Sequence, residues 1–432
     1  MKAGRRLREL RWKLAWKTTE ALRRRGIDRR IPIAVPSAFV TGSVGKTTTC
    51  RMLSWILMRA GTTVALATTQ GAYVDGDALR EGDSAGCKQA SRLLLDPRTE
   101  AVVFELARGG LISTGMAFDG CDVAAVLNIY DNHLGLDGID SREQMAAVKG
   151  LVARAARRLA VLNADDALCL AMCKDIQAQR ICLVSEHDDN PALVSQLAAG
   201  GLAAYLDTTA APMIRLCEGS VCLGEIPAAE IPSSFGGAFR PALVNAMFAM
   251  ALAHGLGVGV GVIREALADF VSDESSNPGR MNFIEGLPFR LLATHADGPQ
   301  AVGELAAFVS RLDGFARKIL MFCCAGNRSD EFMIETGRAV AGAFDQYVCS
   351  DTCALRGRMP LEVAKLLARG LREGGTHDAD IRIAPDHDEA LRMAFALAEA
   401  GDLLVVKSIR ANRIHELGLV EARRTDATAA KD

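Results

Sequence analysis

Residues 41–49 read Thr-Gly-Ser-Val-Gly-Lys-Thr-Thr-Thr and combine two glycines with a lysine and several hydroxyl groups. Glycines allow several backbone N–H groups to point at one anion, and a helix N-terminus adds the positive end of its dipole. Lys46 would then reach the terminal phosphates of a nucleotide, and the Thr47 hydroxyl would bind magnesium. The sequence therefore predicts a phosphate-binding loop made of Gly42, Ser43, Val44, Gly45, Lys46, Thr47 and Thr48.

This loop is shorter than the common phosphate loop, which has four residues between its first glycine and the Gly-Lys pair. Here only Ser43 and Val44 separate the two glycines, and Val40 occupies the usual position of the first glycine. A purely structural glycine turn is the alternative. The order of strand, loop and helix around it favours nucleotide binding.

The segments around the loop alternate between short apolar strands and helical patterns. Ile31–Val40 is apolar and extended, and the helical spacing after the loop ends at Gly61. Further buried strands are predicted at Val64–Thr68, Ala101–Glu105 and Val123–Asn128. Such alternation predicts an α/β fold, in which a P-loop ATPase central domain has a mainly parallel sheet with helices on both faces.

From about Pro278 the alternation restarts and predicts a smaller, Rossmann-like α/β C-terminal domain. The loop Ser272–Pro278 is the expected hinge. We expect a basic helical extension at 1–35, a central ATP-binding domain at 36–277, a C-terminal domain at 278–420 and a flexible tail at 421–432. Predicted strands are Phe289–Thr294, Lys318–Cys323, Gln346–Cys349, Ile381–Ala384 and Leu403–Val406, and predicted helices include Glu331–Ala343 and Asp388–Ala400.

The composition of the 432 residues excludes several classes of protein. A net charge of −2 gives no overall attraction to nucleic acid. The twelve cysteines lack zinc-site spacing and no signal peptide is recognised, so we expect reduced thiols and a cytoplasmic location. Ala242–Ile263 is apolar, but glycines in its second half would weaken a helix. We therefore expect a buried helix at Pro241–His254 and no membrane span.

The first thirty residues contain twelve Lys or Arg and a loose helical stripe of Leu and Trp. Such a helix could dock onto a partner or an anionic surface. The alternative, which we favour, is a solvated helix packed on the main domain.

Eight further motifs follow the loop: Thr68–Gly76, Glu105–Gly110, Cys121–Val123, Asn128–Gly135, Leu162–Asp166, Asn277–Arg280, Gly326–Arg328 and Leu355–Arg358. In their types and order, these motifs and the loop resemble the Mur ligase superfamily, in particular the ligase module of cyanophycin synthetases. The resemblance covers roughly residues 36–415. The ATP-grasp module of those synthetases has no counterpart in the preceding 35 residues, so a separate ATP-grasp protein is a candidate partner.

The resemblance implies ATP and Mg2+ as cofactors and assigns roles to individual residues. The catalytic residues would be Lys46, His133, Lys149 and Arg280. Magnesium would be held by Thr47, Glu105, His133 and Lys149, the last as a carbamate. Asn245 would lie near the adenine ring, and Arg280 would reach an ATP phosphate.

Each of these roles has a plainer alternative. Glu105 could instead form a salt bridge with Arg108, and Lys149 could be an ordinary surface lysine. His133 could be a polar loop histidine, since Asn132 precedes it where the family usually has aspartate. Arg280 could form a salt bridge at the hinge.

The chain departs from the family at a motif of the C-terminal domain, Asp-Tyr-Ala-His-Asn-Pro, which aligns with Thr294–Pro299. His295 and Asp297, with Arg328, are the candidate substrate-binding residues there. The changed spacing bears on which amine is recognised, and on turnover itself.

The function implied by the resemblance is ATP-dependent amide formation. A small-molecule or peptide carboxylate is activated as an acyl phosphate, which an amino-acid amine then attacks. Two alternatives stay open: a glutamate-adding ligase of the folylpolyglutamate or poly-γ-glutamate type, and a non-ligating ATP-binding partner protein.

Overall fold

The computed structural model describes residues 13–14, 16–17, 30–352, 355–408 and 414. The chain forms two compact units. The first comprises the chain up to Gly237 together with Pro241–Phe270, and the second comprises Ala238–Arg240 and the chain from Val271 onwards. Of the predicted basic extension at 1–35, residues 13–14, 16–17 and 30–35 are described, and Trp16 is buried against the core of the first unit. The predicted tail, 421–432, lies outside the described residues.

The first unit is built on an eleven-stranded sheet. Its strands are β1 (Ser37–Thr41), β2 (Val64–Ala67), β3 (Gly71–Val74), β4 (Asp77–Glu81), β5 (Ala101–Glu105), β6 (Cys121–Val126), β7 (Ala156–Asn163), β8 (Arg180–Ser185), β9 (Leu202–Asp207), β10 (Met213–Glu218) and β11 (Val221–Pro227). The spatial order is β11-β10-β9-β8-β7-β6-β1-β5-β2-β3-β4. All pairs from β9 to β2 are parallel, whereas β3 and β4 at one edge and β10 and β11 at the other are antiparallel.

Helices cover both faces of this sheet. Successive strand residues point to opposite sides, and because the side chains on both sides are apolar, each face forms its own core with helices. In β1, Ala38 and Val40 enter one core cluster, while Phe39 enters the other and packs on Phe104 and Phe118. The helices are α1 (Lys46–Arg59), α2 (Cys87–Ala90), α3 (Arg108–Thr114), α4 (Arg142–Arg154), α5 (Ala167–Ala171), α6 (Pro191–Ala198), α7 (Arg240–Gly255) and α8 (Val260–Asp269).

Helix α7 is apolar on nearly all sides because it is buried on nearly all sides, with every residue from Ala246 to Ala253 inaccessible. This confirms the buried helix predicted at Pro241–His254. Among the described residues, no helix is both long and apolar enough to cross a membrane.

The second unit contains a six-stranded sheet in the order β12-β13-β17-β14-β15-β16. Its strands are β12 (Asn282–Ile284), β13 (Arg290–Thr294), β14 (Lys318–Cys324), β15 (Gln346–Asp351), β16 (Ile381–Ala384) and β17 (Leu403–Lys407), and its helices are α9 (Pro299–Ser310), α10 (Asp330–Arg338), α11 (Glu362–Glu373) and α12 (His387–Leu397). In this order, every neighbouring pair of strands from β13 to β16 is parallel. The edge strand β12 is antiparallel to β13. The predicted α/β class is thus confirmed for both units.

Three predicted element boundaries were wrong by three residues or more, and the other differences are of one or two residues. The strand predicted from Ile31 begins only at Ser37, because Pro32 and Pro36 have no N–H to donate to a ladder, and Ile31 forms a single bridge with Phe118. The helix predicted to continue to Ala343 ends at Arg338. The helix predicted to reach Ala400 ends at Leu397, after which Ala398 is extended.

Candidate active site

The phosphate loop connects β1 to α1 at the carboxyl end of the parallel sheet, between the loops that follow β5 and β6. This is the edge at which open α/β sheets bind ligands. Gly45 has a φ of 85°, a left-handed conformation that a side chain disfavours. A Cβ on Gly45 would lie 2.5 Å from Oδ1 of Asn245, and one on Gly42 would lie 2.9 Å from Cβ of Leu127. Both glycines are therefore required by close packing.

The loop is held by Asn128, a residue that sequence reasoning did not single out. Its Oδ1 accepts hydrogen bonds from the backbone N–H groups of Ser43 (2.8 Å) and Val44 (2.9 Å). Asn128 lies two residues after the end of β6, the strand next to β1. A polar residue at the end of a buried neighbouring strand was the available signal.

Residues of the Leu162–Asp166 motif bind the backbone on either side of Asn128. Asn163 donates from Nδ2 to the carbonyl of Leu127 (2.8 Å), and Asp166 accepts from the N–H of Ile129 (2.6 Å). These bonds flank Asn128 on both sides. The motif therefore fixes the segment that in turn fixes the phosphate loop.

Glu105, the last residue of β5, is buried beside the start of α1. Its Oε2 accepts from the Thr47 hydroxyl (2.8 Å) and from the N–H of Thr69 (3.1 Å). Its Oε1 is also buried and has no hydrogen-bond partner among the described residues. A buried carboxylate oxygen is costly unless it is paired or bound to a metal. Together with the Thr47 hydroxyl, this set of oxygens suits magnesium, which prefers oxygen ligands.

Arg108, the proposed alternative partner of Glu105, is engaged elsewhere. Its guanidinium pairs with Asp137 (2.6 Å) and donates to the carbonyls of Leu136 (2.9 Å) and His133 (3.3 Å). His133 lies in the loop between β6 and α4 and has a left-handed backbone conformation with a φ of 71°. The backbone around His133 is thus held by Arg108. No group of three or more His, Cys, Asp or Glu side chains arranged for a metal is found in the described part of the chain.

Lys149 lies on α4 and is buried, so the alternative of a surface lysine is wrong. Its Nζ donates to the Ser43 hydroxyl (2.7 Å), which itself accepts from the N–H of Tyr130 (2.8 Å). Burial first, and then the charge of Lys46, lower the pKa of Lys149 well below its usual value. Lys46 donates from Nζ to the carbonyl of Ser43 (3.1 Å). Ser43 therefore joins the two lysines of the site.

Asn245, in the first half of α7, contacts the phosphate loop and the beginning of α1. Its Oδ1 accepts from the Thr49 hydroxyl (3.2 Å) and lies against Gly45. The first unit thus brings together Ser43, Lys46, Thr47, Glu105, Lys149 and Asn245.

The remaining predicted residues belong to the second unit. Arg280 lies in the turn before β12, where the Ser272 hydroxyl (2.6 Å) and Nδ2 of Asn282 (3.0 Å) donate to its carbonyl. Arg328 is buried and pairs with Asp297 at 2.7 Å.

Asp297 is thereby placed in a cationic environment at the carboxyl end of the second sheet. Burial alone would raise the pKa of Asp297, but the charges of Arg328, Lys407 and His295 hold it well below its usual range. Lys407, the last residue of β17, is buried and donates to the carbonyl of Cys323. Sequence reasoning missed Lys407, because only the fold brings the ends of β13, β14 and β17 together.

Comparisons with known proteins agree with this arrangement. The family model described as Mur ligase middle domain matches residues 40–253, and the model described as Mur ligase, glutamate ligase domain matches residues 279–410. A cyanophycin synthetase of Synechocystis sp. is 34% identical over 377 residues, which are 87% of this chain and 42% of that protein. The chain therefore spans less than half the length of this relative.

Two solved structures share the fold. MurF from Acinetobacter baumannii superposes with a TM-score of 0.64 at 19% identity, covering 90% of this chain and 76% of that one. FolC from E. coli, in complex with DHPP and ADP, superposes with a TM-score of 0.60 at 20% identity, covering 90% and 89%. With both family models matching in order along the sequence, the chain belongs to the Mur ligase family.

Proposed function

We propose that this chain is an ATP-dependent ligase that joins a carboxylate to an amino-acid amine through an amide bond. The observation that carries the proposal is the second oxygen of Glu105, which is buried next to the phosphate loop and lacks a partner among the described residues. Such an oxygen is suited to a metal–nucleotide complex rather than to a structural turn. The FolC structure contains ADP, and the relative of 34% identity is a cyanophycin synthetase.

The chemistry follows from the weakness of a carboxylate as an electrophile. In the proposed reaction, the carboxylate oxygen attacks the γ-phosphorus of ATP, ADP leaves, and an acyl phosphate forms. The amine nitrogen then attacks the acyl carbon, phosphate leaves and the amine loses a proton. The Lys46 ammonium and the loop N–H groups would stabilise the negative charge that shifts between the phosphate oxygens.

Magnesium would be held by Thr47 and Glu105, with His133 and a carbamate on Lys149 as further proposed ligands, and would supply charge neutralisation for the phosphates. The burial of Lys149 and its contact with the Ser43 hydroxyl support the carbamate. A carbamate forms when an uncharged amine attacks carbon dioxide. The Ser43 hydroxyl can also donate to a carbamate oxygen, so the contact survives the modification.

The substrates are proposed by analogy with the relatives. An acidic side chain of an amino acid or peptide would be the carboxylate, and a free amino acid would be the amine. We propose that Arg280 contacts an ATP phosphate, and that His295, Asp297 and Arg328 contribute to recognition of the amine. A separate ATP-grasp protein would then act on the same product.

The test is ADP release by the purified protein with ATP and magnesium, across a panel of acidic dipeptides and free amino acids. Release that requires one acid and one amine together supports the ligase. Lys46→Ala should abolish this release, whereas Lys365→Ala, an exposed lysine on α11, should not. Release with glutamate as the sole amine would favour the glutamate-adding type. ATP binding without amine-dependent release would contradict the proposal and favour a non-ligating role.

A further inference from the structure

The hairpin at one edge of the first sheet holds two cysteines face to face. β10 and β11 are antiparallel, and Cys217 is the cross-strand partner of Cys222, directly after a shift of the register between Leu216 and Cys217. Opposite residues of an antiparallel pair have Cα atoms about 4.5–5.5 Å apart. A disulfide spans Cα separations of about 4.4–6.8 Å. The register alone therefore places the two residues within disulfide range.

The two thiols differ in exposure. Cys222 is exposed on β11, which is the edge strand, whereas Cys217 is buried. The Tyr205 hydroxyl lies 3.7 Å from Sγ of Cys217. Burial raises the pKa of Cys217, the Tyr205 hydroxyl lowers it, and the adjacent Cys222 thiol raises it again. The exposed thiol is thus the one that solutes can reach, and the buried one is held beside it.

The pair stands apart from the other cysteines that the structure describes. Cys222 is exposed and Cys173 is partly buried, while the remaining nine, including Cys217, are buried. An exposed thiol that faces a second thiol is the usual arrangement of a reactive and a resolving cysteine. The register of β10 and β11 supplies that arrangement here.

The backbone of the hairpin is fixed by packing. Gly224 lies so close to α8 that a Cβ there would be 1.9 Å from Cγ1 of Val260. On the cysteine face, Arg215 pairs with Asp207 (3.0 Å) and Glu225 (3.6 Å), across both neighbouring strands. These contacts hold the two strands in place independently of the cysteines.

We propose that Cys217 and Cys222 are a reversible oxidation site that closes a disulfide within the hairpin. With a peroxide as oxidant, the Cys222 thiolate attacks one peroxide oxygen, the O–O bond breaks, and a sulfenic acid forms with release of water. The Cys217 sulfur then attacks the Cys222 sulfur, the S–O bond breaks, and a second water leaves. In total, two thiols lose two hydrogens and the peroxide is reduced to two waters. An external dithiol reverses the bond by exchange.

The test uses the wild-type protein. Trypsin is expected to yield a peptide of residues 216–264, because Pro241 follows Arg240 and no other lysine or arginine intervenes, and it contains no further cysteine. Limited hydrogen peroxide, followed by alkylation of free thiols, should give this peptide unalkylated and about 2 Da lighter than its reduced, unalkylated mass, and dithiothreitol should restore two alkylation sites.

Two further observations make the test decisive. In Cys217→Ser the light peptide should be absent, and Cys222 should instead be trapped by dimedone as a sulfenic acid. Cys50, buried on α1, serves as an internal control and should keep its reduced state. The proposal is overturned if peptide 216–264 keeps two alkylatable thiols while other cysteines oxidise. It is equally overturned if Cys222 forms only bonds between chains.

Discussion

Gly45→Ala is the substitution whose effect follows most directly from the geometry of the site. Gly45 precedes α1 with a φ of 85°, and the added Cβ would lie 2.5 Å from Oδ1 of Asn245. That oxygen also accepts the hydrogen bond of the Thr49 hydroxyl. The new methyl group must therefore either displace Asn245 and break this bond or move the loop out of its phosphate-binding conformation.

The expected loss of ATP-binding free energy in Gly45→Ala is the sum of two costs. A left-handed conformation costs a residue with a Cβ about 1–2 kcal/mol. Loss of the bond between Thr49 and Asn245 costs about 1 kcal/mol. The observed conformation of the loop is then disfavoured by about 2–3 kcal/mol, which corresponds to about a 30- to 140-fold rise in the Kd for ATP.

The assay is ATP binding by calorimetry, with the thermal midpoint of unfolding measured in parallel. Gly61→Ala is the matched control, because Gly61 has nearly the same φ of 84° but no atom within 4 Å of the added Cβ. It should lower stability by about 1–2 kcal/mol, the cost of the conformation alone. Its Kd for ATP should stay within about twofold of wild type, since Gly61 lies beyond the far end of α1.

A double variant separates the cost of the left-handed backbone conformation from the cost of the contact with Asn245. Adding Asn245→Ala to Gly45→Ala removes the side chain that the new Cβ meets. The effects of the two substitutions on ATP affinity should then fall short of additivity by about 1 kcal/mol. The reasoning is refuted if Gly45→Ala binds ATP as wild type does, or if Gly61→Ala weakens binding equally.

Three further predictions address charge in the two units. Glu105→Gln should keep the bond with the Thr47 hydroxyl but weaken magnesium-dependent ATP binding at least about tenfold; equal binding with and without magnesium in wild type would contradict this. Lys149→Ala should abolish ADP release, and restoration by acetate or formate would identify a carbamate, whereas restoration by alkylamines would identify an ammonium group. Asp297→Asn should destabilise the second unit by about 3 kcal/mol, because it removes the carboxylate charge that pairs with buried Arg328. Because the folded-state pKa of Asp297 is depressed, wild type should lose this stabilisation as the pH falls below about 4, and the variant should show a flatter profile by chemical unfolding.

Much of the fold could be predicted because its strands are continuous apolar runs bounded by turns. Ala101–Glu105 and Ile381–Ala384 were predicted with the bounds that the structure shows. The loop at 41–49 was also recognisable from the sequence as a candidate phosphate-binding loop, since glycine, lysine and threonine at this spacing serve few purposes besides phosphate binding. Such features are local in sequence, and short-range rules therefore suffice to find them.

The contacts that hold the site are not local, and for that reason they escaped prediction. Asn128 lies 85 residues from Ser43, and Lys407 lies 84 residues from Cys323. Helix ends were also misjudged, because Arg338 and Leu397 end helices that the apolar pattern would continue. A pattern of polar and apolar residues indicates a strand or helix, but not which strand ends become neighbours.

The Ser43 hydroxyl shows how the loop and the two lysines, Lys46 and Lys149, are coupled. It accepts from Nζ of Lys149 and from the N–H of Tyr130, while the Ser43 N–H and carbonyl bind Asn128 and Lys46. A shift of the loop therefore changes the surroundings of both lysines together. Because the loop is two residues shorter than the common phosphate loop, it has fewer N–H groups of its own to fix its shape. The side chains of Asn128 and Asn245 replace that internal support, so the conformation of the loop depends on β6 and α7 as much as on its own glycines.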